Sequence, residues 1–298
     1  YLYENTTFPQ ALTGIVDESG ARYATFGYDV QGHATSTEHA GGALRYQVRY
    51  GSQIGSSATV IDPLGTSRSY SYSTNANRLM VTNASLPSAN GESDATSRTF
   101  DANGLVISEF DFNRSKSSFT WDAARRLPTS VTRAEGRAEA QTTTTQWHPV
   151  FSMPTLVTEV GRPTAYTYDA FGNALSKKLT DTVTSKDLLW QWTYNAQQLV
   201  QTAREPNGAL TSYTYDNRGN VLTSTNALGH IASYAYNDAN RVVSSAAPNG
   251  LVTTYTYDLR DRLLTQSVLG QTIRLTYKPD GTIETVSLPT GLILTYAY

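Results

Sequence analysis

Few residues of this chain could do covalent chemistry, and they are badly placed for it. Gly91-Glu92-Ser93-Asp94-Ala95 approximates the turn that presents a serine nucleophile between a strand and a helix, where acyl transfer also needs a histidine base and an oxyanion hole within reach. Here the stretch is polar and no strand-to-helix pattern surrounds it. His33, His39, His148 and His230 show no ligand spacing and lack the partners of a metal or general-base site, so a turn or edge role accounts for them. Aspartates recur at turns and could offer oxygens to Ca²⁺, yet the chain has no Asp-x-Asp-x-Asp-Gly loop and no Gly-Gly-x-Gly-x-Asp run. Cysteine is absent, which removes disulfides, thiolate nucleophiles and zinc or iron–sulfur ligation together. The expectation is a chain that is not an enzyme, with no catalytic, cofactor-binding or metal-ligating residue.

Aromatic residues are the other candidates. Trp190 and Trp192, and the pairs Tyr213/Tyr215, Tyr234/Tyr236 and Tyr255/Tyr257, could stack on sugars or line a peptide groove. Packing across strands explains them better, because they recur where a repeating structure demands them; a glycan is the weaker ligand class.

The elements that hold these residues follow from composition and period. Apolar residues make up 39% of 298 with Tyr counted, and about the same with Gly in its place, against about 45–50% in an ordinary domain. The core must be thin. A net charge of −2, with 16% charged residues, provides no polyelectrolyte for nucleic acid or an anionic membrane. No run approaches the ~18 apolar residues of a membrane helix. The chain lacks an initiator Met and stops within its own repeat, which points to a piece of a longer polypeptide.

The aromatic that closes each aromatic-x-aromatic pair falls at Tyr28, Tyr50, Tyr72, Phe100, Trp121, Trp147, Tyr168, Tyr194, Tyr215, Tyr236, Tyr257, Tyr277 and Tyr298, in steps of 22, 22, 28, 21, 26, 21, 26, 21, 21, 21, 20 and 21 residues. Aromatics at i and i+2 share one face of a strand, and the Thr and Tyr content favours strands. Each period is therefore read as one β-hairpin with strands of about seven residues, and the chain as an all-β array of antiparallel hairpins over 1–298. Repeats are degenerate and interrupted over 28–165 and regular over 166–298. Some 13 or 14 hairpins give about 26–28 strands.

Two kinds of turn punctuate the array. Asp169, Asp216 and Asp258 follow the repeat tyrosines Tyr168, Tyr215 and Tyr257; such an Asp can accept from backbone N–H groups two residues on, with Gly172 or Gly219 supplying a positive φ. At the opposite rim, Pro206-Asn-Gly208, Pro248-Asn-Gly250, Lys278-Pro-Asp-Gly281 and Pro289-Thr-Gly291 join a fixed φ to a permissive glycine. Three surplus stretches, 83–94, 133–141 and 180–187, are expected as loops on one rim. An outer-membrane barrel is the competing architecture, but Ser212, Thr214 and Asp216 on one phase deny it a lipid face.

The string Tyr-x-Tyr-Asp-x-x-Gly-Asn at Tyr166–Asn173 and Tyr213–Asn220, recurring about every 21 residues, resembles the YD repeat of the Rhs family. Phe8 to Ile15, Tyr28 to Gly32 and Ser36 to Gly42 are similar to the start of the repeat region in bacterial Rhs proteins. The resemblance implies that the hairpins join edge to edge into a strip coiling into part of a hollow shell, which encloses a C-terminal toxin and helps deliver it between bacteria, often by type VI secretion. It implies a secreted or cell-surface location and, as partners, the rest of the parent chain, the toxin cargo and a secretion-system spike or chaperone. A cell-surface adhesion or carbohydrate-binding YD module is the alternative. The family's self-cleaving core segment is absent: Asp62-Pro-Leu-Gly65 is a turn within the array.

Enclosure has a size limit. At about 4.8 Å per strand such a strip is about 125–135 Å long, which as a ring leaves roughly 30 Å inside, against about 34 Å for a folded 100-residue domain. This length of chain is expected to hold no folded cargo alone and to self-associate through bare strand edges.

Overall fold

The computed structural model describes residues 1–53, 55–87 and 95–297. The Ser93 motif therefore lies outside the described residues, as does Tyr298. The described chain is all-β: 26 antiparallel strands and one three-residue 3₁₀ turn, Ala40–Gly42. It packs as two units, Tyr1–Arg45 with Trp192–Tyr298, and Tyr46–Gln191.

In the first unit the N-terminal run is Gly14–Val16, Arg22–Tyr28 and Ala34–His39, paired in that order. Ten further strands, from Val200–Arg204 to Ile293–Thr295 with bounds near 5–7 residues each save the last, pair consecutively as a meander. The second unit runs in the same way from Tyr46–Tyr50 to Lys186–Tyr194.

Each meander is a single layer, so the sheet has two exposed or half-exposed faces. The surface area is 18594 Å², where a compact protein of this mass exposes about 12,400 Å². Only Ala24, Ala58, Ala84, Ala95 and Leu105 form a buried apolar set among the described residues. The thin core follows from the composition. Val252–Tyr257 shows the alternation: Thr253, Tyr255 and Tyr257 are half-buried, while Val252, Thr254 and Thr256 are exposed.

Two expectations need correction. Residues 180–187 are only in part a loop: Ala174–Asp181 and Lys186–Tyr194 lengthen to eight and nine residues, with Thr180 opposite Asp187 and Asp181 opposite Lys186, and only 182–185 form the turn. Part of their surplus goes into ladder, across which Lys178 pairs with Asp187 at 2.8 Å. The turn 278–282 lies on the rim of the Asp turns, not the other one, because it joins Arg274-to-Ser287 partners directly after the repeat residue Tyr277. Pro279 suits the first corner of a turn at either rim, so its presence did not distinguish them.

Candidate functional site: the repeat lattice and its rims

Each residue of the repeat string has a structural task. In the turn after Tyr215, Asp216 Oδ1 accepts from Arg218 N at 2.9 Å and Asn220 N at 2.8 Å, while Asn220 Nδ2 donates to Asp216 Oδ2 at 2.8 Å. Gly219 N donates to Asp216 O at 3.2 Å, with Gly219 at φ 87°. The turn after Tyr168 repeats this with Asp169, Phe171, Asn173 and Gly172 at φ 90°. At Asp258 the fourth residue is Arg262, whose Nε donates to Asp258 Oδ2 at 2.7 Å. Gly281 holds φ 91° in the corresponding turn, where Asp280 Oδ1 accepts from Thr282 N at 3.0 Å.

These hydrogen bonds set the carboxylates. At Asp216 the bond from Asn220 holds the carboxyl below its usual range, against desolvation. At Asp169 and Asp258 desolvation pushes up most strongly but is outweighed by the Asn173 and Arg262 donors and backbone N–H groups, so both also end below it.

The repeat tyrosines form a lattice that the spacing alone did not reveal. Each closes a β-bulge: Tyr215 pairs with Val221, Tyr236 with Val242 and Tyr257 with Leu263, each after a register shift. The hydroxyl then donates back to the preceding hairpin. Tyr236 reaches Val221 O at 2.9 Å, Tyr257 reaches Val242 O at 2.8 Å and Tyr277 reaches Leu263 O at 2.9 Å, so the residue opposite one tyrosine accepts from the next. Tyr215 and Tyr168 do the same to Val200 O and Pro154 O, at 2.6 and 2.7 Å. Trp121 and Trp147 replace the phenol with the indole Nε1, donating to Val106 O at 2.7 Å and Pro128 O at 2.8 Å. Burial pushes the Tyr215, Tyr236 and Tyr257 hydroxyls above their usual range.

The first aromatic of each pair lies on the same face opposite a smaller or polar residue: Tyr166 opposite Lys177, Tyr213 opposite Ser224, Tyr234 opposite Ser245, Tyr255 opposite Gln266. The other face carries hydroxyl pairs, Thr214 with Thr223 and Thr256 with Thr265 at 2.6 Å, and Thr276 with Thr285 at 2.8 Å. A face whose polar atoms satisfy one another tolerates water without an apolar cover.

The histidines occupy turns and strands. His148 Nδ1 accepts from Val150 N at 3.2 Å and Phe151 N at 3.1 Å, taking the role of the turn Asp it replaces. His33 Nδ1 lies 3.0 Å from Asp29 Oδ2, and His39 packs on Tyr23. No cluster of three or more metal-ligating side chains occurs among the described residues. Arginines, which the spacing did not single out, strap turn to turn along a rim: Arg218 reaches the carbonyls of Asn237 and Asp238, and Arg126 those of Asn103 and Gly104.

Residues 165–298 match the Teneurin YD-shell family. No curated protein sequence matches the chain. Solved structures that share its fold include three Tc toxin structures. TcdB2-TccC3 without its hypervariable C-terminal region is 12% identical with a TM-score of 0.56, and the match covers 92% of this chain and 19% of that one. The TcdB2-TccC3-TEV structure is 13% identical with a TM-score of 0.55, covering 90% and 18%. A Photorhabdus luminescens Tc holotoxin pore with a variant TccC3 is 13% identical with a TM-score of 0.54, covering 88% and 18%. The chain thus spans under a fifth of the length of these relatives.

Hairpins of one period, bulged at an aromatic that bonds back to the previous hairpin, define a YD-repeat shell strip. The described chain has the fold of such a strip, and over residues 165–298 it matches the YD-shell model.

Proposed function

We propose that this chain is a wall segment of an Rhs shell that encloses a toxin domain and helps deliver it in competition between bacteria, as part of a longer secreted or cell-surface polypeptide. The single observation that carries this is the cross-hairpin lattice. Each tyrosine ties its hairpin to the one before it, so stiffness comes from the wall and not from an interior core, as a layer with a guest on one side requires. The similar Tc structures carry TccC3, in one case without a hypervariable C-terminal region, which supports a shell paired with a variable cargo. Type VI secretion is one delivery route, with a spike or chaperone as partner. The wall itself needs no catalytic residue.

The test is limited proteolysis of the polypeptide that contains this segment together with its C-terminal domain. That domain should resist protease while the strip is intact, and be cut once Tyr215, Tyr236 and Tyr257 are changed together to Phe. Equal cleavage in both would overturn enclosure. An adhesion or carbohydrate-binding module is the second reading, favoured by the match to a teneurin shell. Against it, the repeat tyrosine hydroxyls are already committed to backbone carbonyls and so are not offered to a sugar. Saturable binding to a glycan array by this chain would favour it.

A further inference from the structure

Within the first unit, two strand runs meet although they lie far apart in sequence. The turn between Gly14–Val16 and Arg22–Tyr28 belongs to one rim of its meander, and the turn between Val252–Tyr257 and Leu263–Val268 to the opposite rim. Arg260, at the tip of the second turn, reaches Asp17, the first residue of the other. Its Nη1 lies 3.2 Å from Asp17 Oδ2, and the guanidinium sits 5.0 Å from the centre of the Tyr23 ring. Tyr23 in turn packs on His39 at 5.0 Å, carrying the contact across the N-terminal run.

We propose that Arg260 is the latch of a side-chain seam, which holds the N-terminal run Gly14–His39 against the C-terminal repeats and lets the two part without breaking a strand ladder. This rests on the geometry alone and not on the shell reading.

Burial distinguishes the latch from an ordinary rim pair. The side chains of Asp17 and Arg260 are 5% and 15% exposed, whereas Arg218, in the equivalent slot of the turn two repeats earlier, is 39% exposed. Arg218 and Arg260 both strap the following turn, to Asn237 O and to Pro279 O. Only Arg260 also grips a second run. Asp17 is committed on its other side, because Oδ1 accepts from Ser19 N, Ser19 Oγ and Ala21 N at 3.0, 2.6 and 3.0 Å, so the turn fixes Oδ2 toward the seam. Oδ2 has no aligned hydrogen bond of its own, and the charge facing it is that of Arg260. Removing that charge leaves a buried carboxylate uncompensated, a cost far above that of losing an exposed strap. The described ladders pair Gly14–Val16, Arg22–Tyr28 and Ala34–His39 among themselves, and pair none of them with a strand after Val200.

Arg218→Ala is the internal control, since it removes the strap but not the seam. In the 298-residue chain, Arg260→Ala should speed amide hydrogen exchange across Arg22–His39 by about tenfold or more, with Val221–Tyr236 unchanged. Arg218→Ala should leave Arg22–His39 as in the parent chain. Asp17→Asn keeps the turn acceptor but removes the charge, and should add little in the Arg260→Ala background. Equal effects of the two arginine variants, or unchanged exchange at Arg22–His39 in Arg260→Ala, would overturn the latch. Should Arg260→Ala fail to fold, the otherwise wild-type chain offers a second measurement. Glu18 and Leu259 flank the same cleft, and with no native cysteine the pair Glu18→Cys/Leu259→Cys should join within one chain under a short bismaleimide. Absence of that crosslink would refute the seam.

Discussion

The hydroxyl of a single repeat tyrosine is the smallest unit of this fold that can be tested. Tyr236→Phe leaves Val221 O without its donor while keeping the ring, and should cost about 0.5–1.5 kcal/mol in denaturant unfolding. The same bond has an alkaline signature. Burial, then the neighbouring Tyr234 and Asp216, hold the Tyr236 hydroxyl above its usual range. The folded state therefore favours the protonated phenol, and its contribution is fully present below the ordinary value near 10 and lost as pH rises through the higher folded value. Ultraviolet titration should show a tyrosine class ionising above pH ~10 together with loss of structure; simple titration of all 20 tyrosines near the ordinary value would contradict it. The spacing of these tyrosines was legible in the sequence, because period and face are local properties. Their hydrogen-bond role was not, since the acceptor is a backbone carbonyl some fifteen residues upstream. Trp121 and Trp147 read as decay of the repeat for the same reason, yet their indole N–H keeps the bond.

One hairpin is the scale at which the turns matter. The carboxyls of Asp169, Asp216 and Asp258 all lie below the usual range, so their contribution is present above the ordinary value near 3.9 and lost as pH falls through the lower folded values. Exchange at the turns should accelerate below pH ~4 before the strands loosen. Glycine substitutions should rank by what a Cβ meets. Gly219 and Gly172 both carry the penalty of a positive φ, about 1–2 kcal/mol for Ala. At Gly219 the nearest atom would be Leu199 Cδ1 at 3.6 Å, an ordinary contact, while at Gly172 the end of the flexible Met153 side chain, Cε at 3.0 Å, must give by a few tenths of an ångström, so Gly172→Ala should destabilise at least as much as Gly219→Ala. A reversed order in thermal unfolding would count against this turn geometry. The Asp turns could be read in advance because an Asp followed by Gly three residues on encodes its own hydrogen bonds. The rim of Lys278–Gly281 could not be read from Pro and Gly alone, since both rims use the same five-residue turn, as at Glu205 to Ala209. Likewise nothing in the composition of 180–187 told loop from lengthened strand, a choice made by cross-strand partners such as Lys178 and Asp187.

For the molecule as a whole, the array is held together by neighbours, so damage should stay near its origin. Gly219→Val, strained by roughly 1–3 kcal/mol, should loosen Leu210–Thr225 in hydrogen exchange and leave Arg162–Asp181 protected. Cooperative loosening of every hairpin would contradict the repeat lattice. The counterpart of neighbour-only stabilisation is an exposed edge. Gly14 at the start of the meander bridges to Leu2, and Thr13 N donates to Leu2 O at 2.8 Å, so the N-terminal segment covers the first strand. The last strand, Ile293–Thr295, pairs with Ile283–Ser287 on one side, and every one of its residues is exposed. Leu292, Ile293 and Leu294 are 54%, 60% and 41% exposed, an apolar run with no charged residue to deter pairing. The isolated chain should therefore self-associate through this edge in a concentration-dependent way. Ile293→Lys places a charge on the edge and should shift light scattering toward the monomer, whereas Val30→Lys, which charges an exposed turn residue elsewhere in the same unit, should not. A parent chain that is monodisperse and monomeric at high concentration would mean that this edge is already satisfied by some other contact, and the two lysine variants would then behave alike.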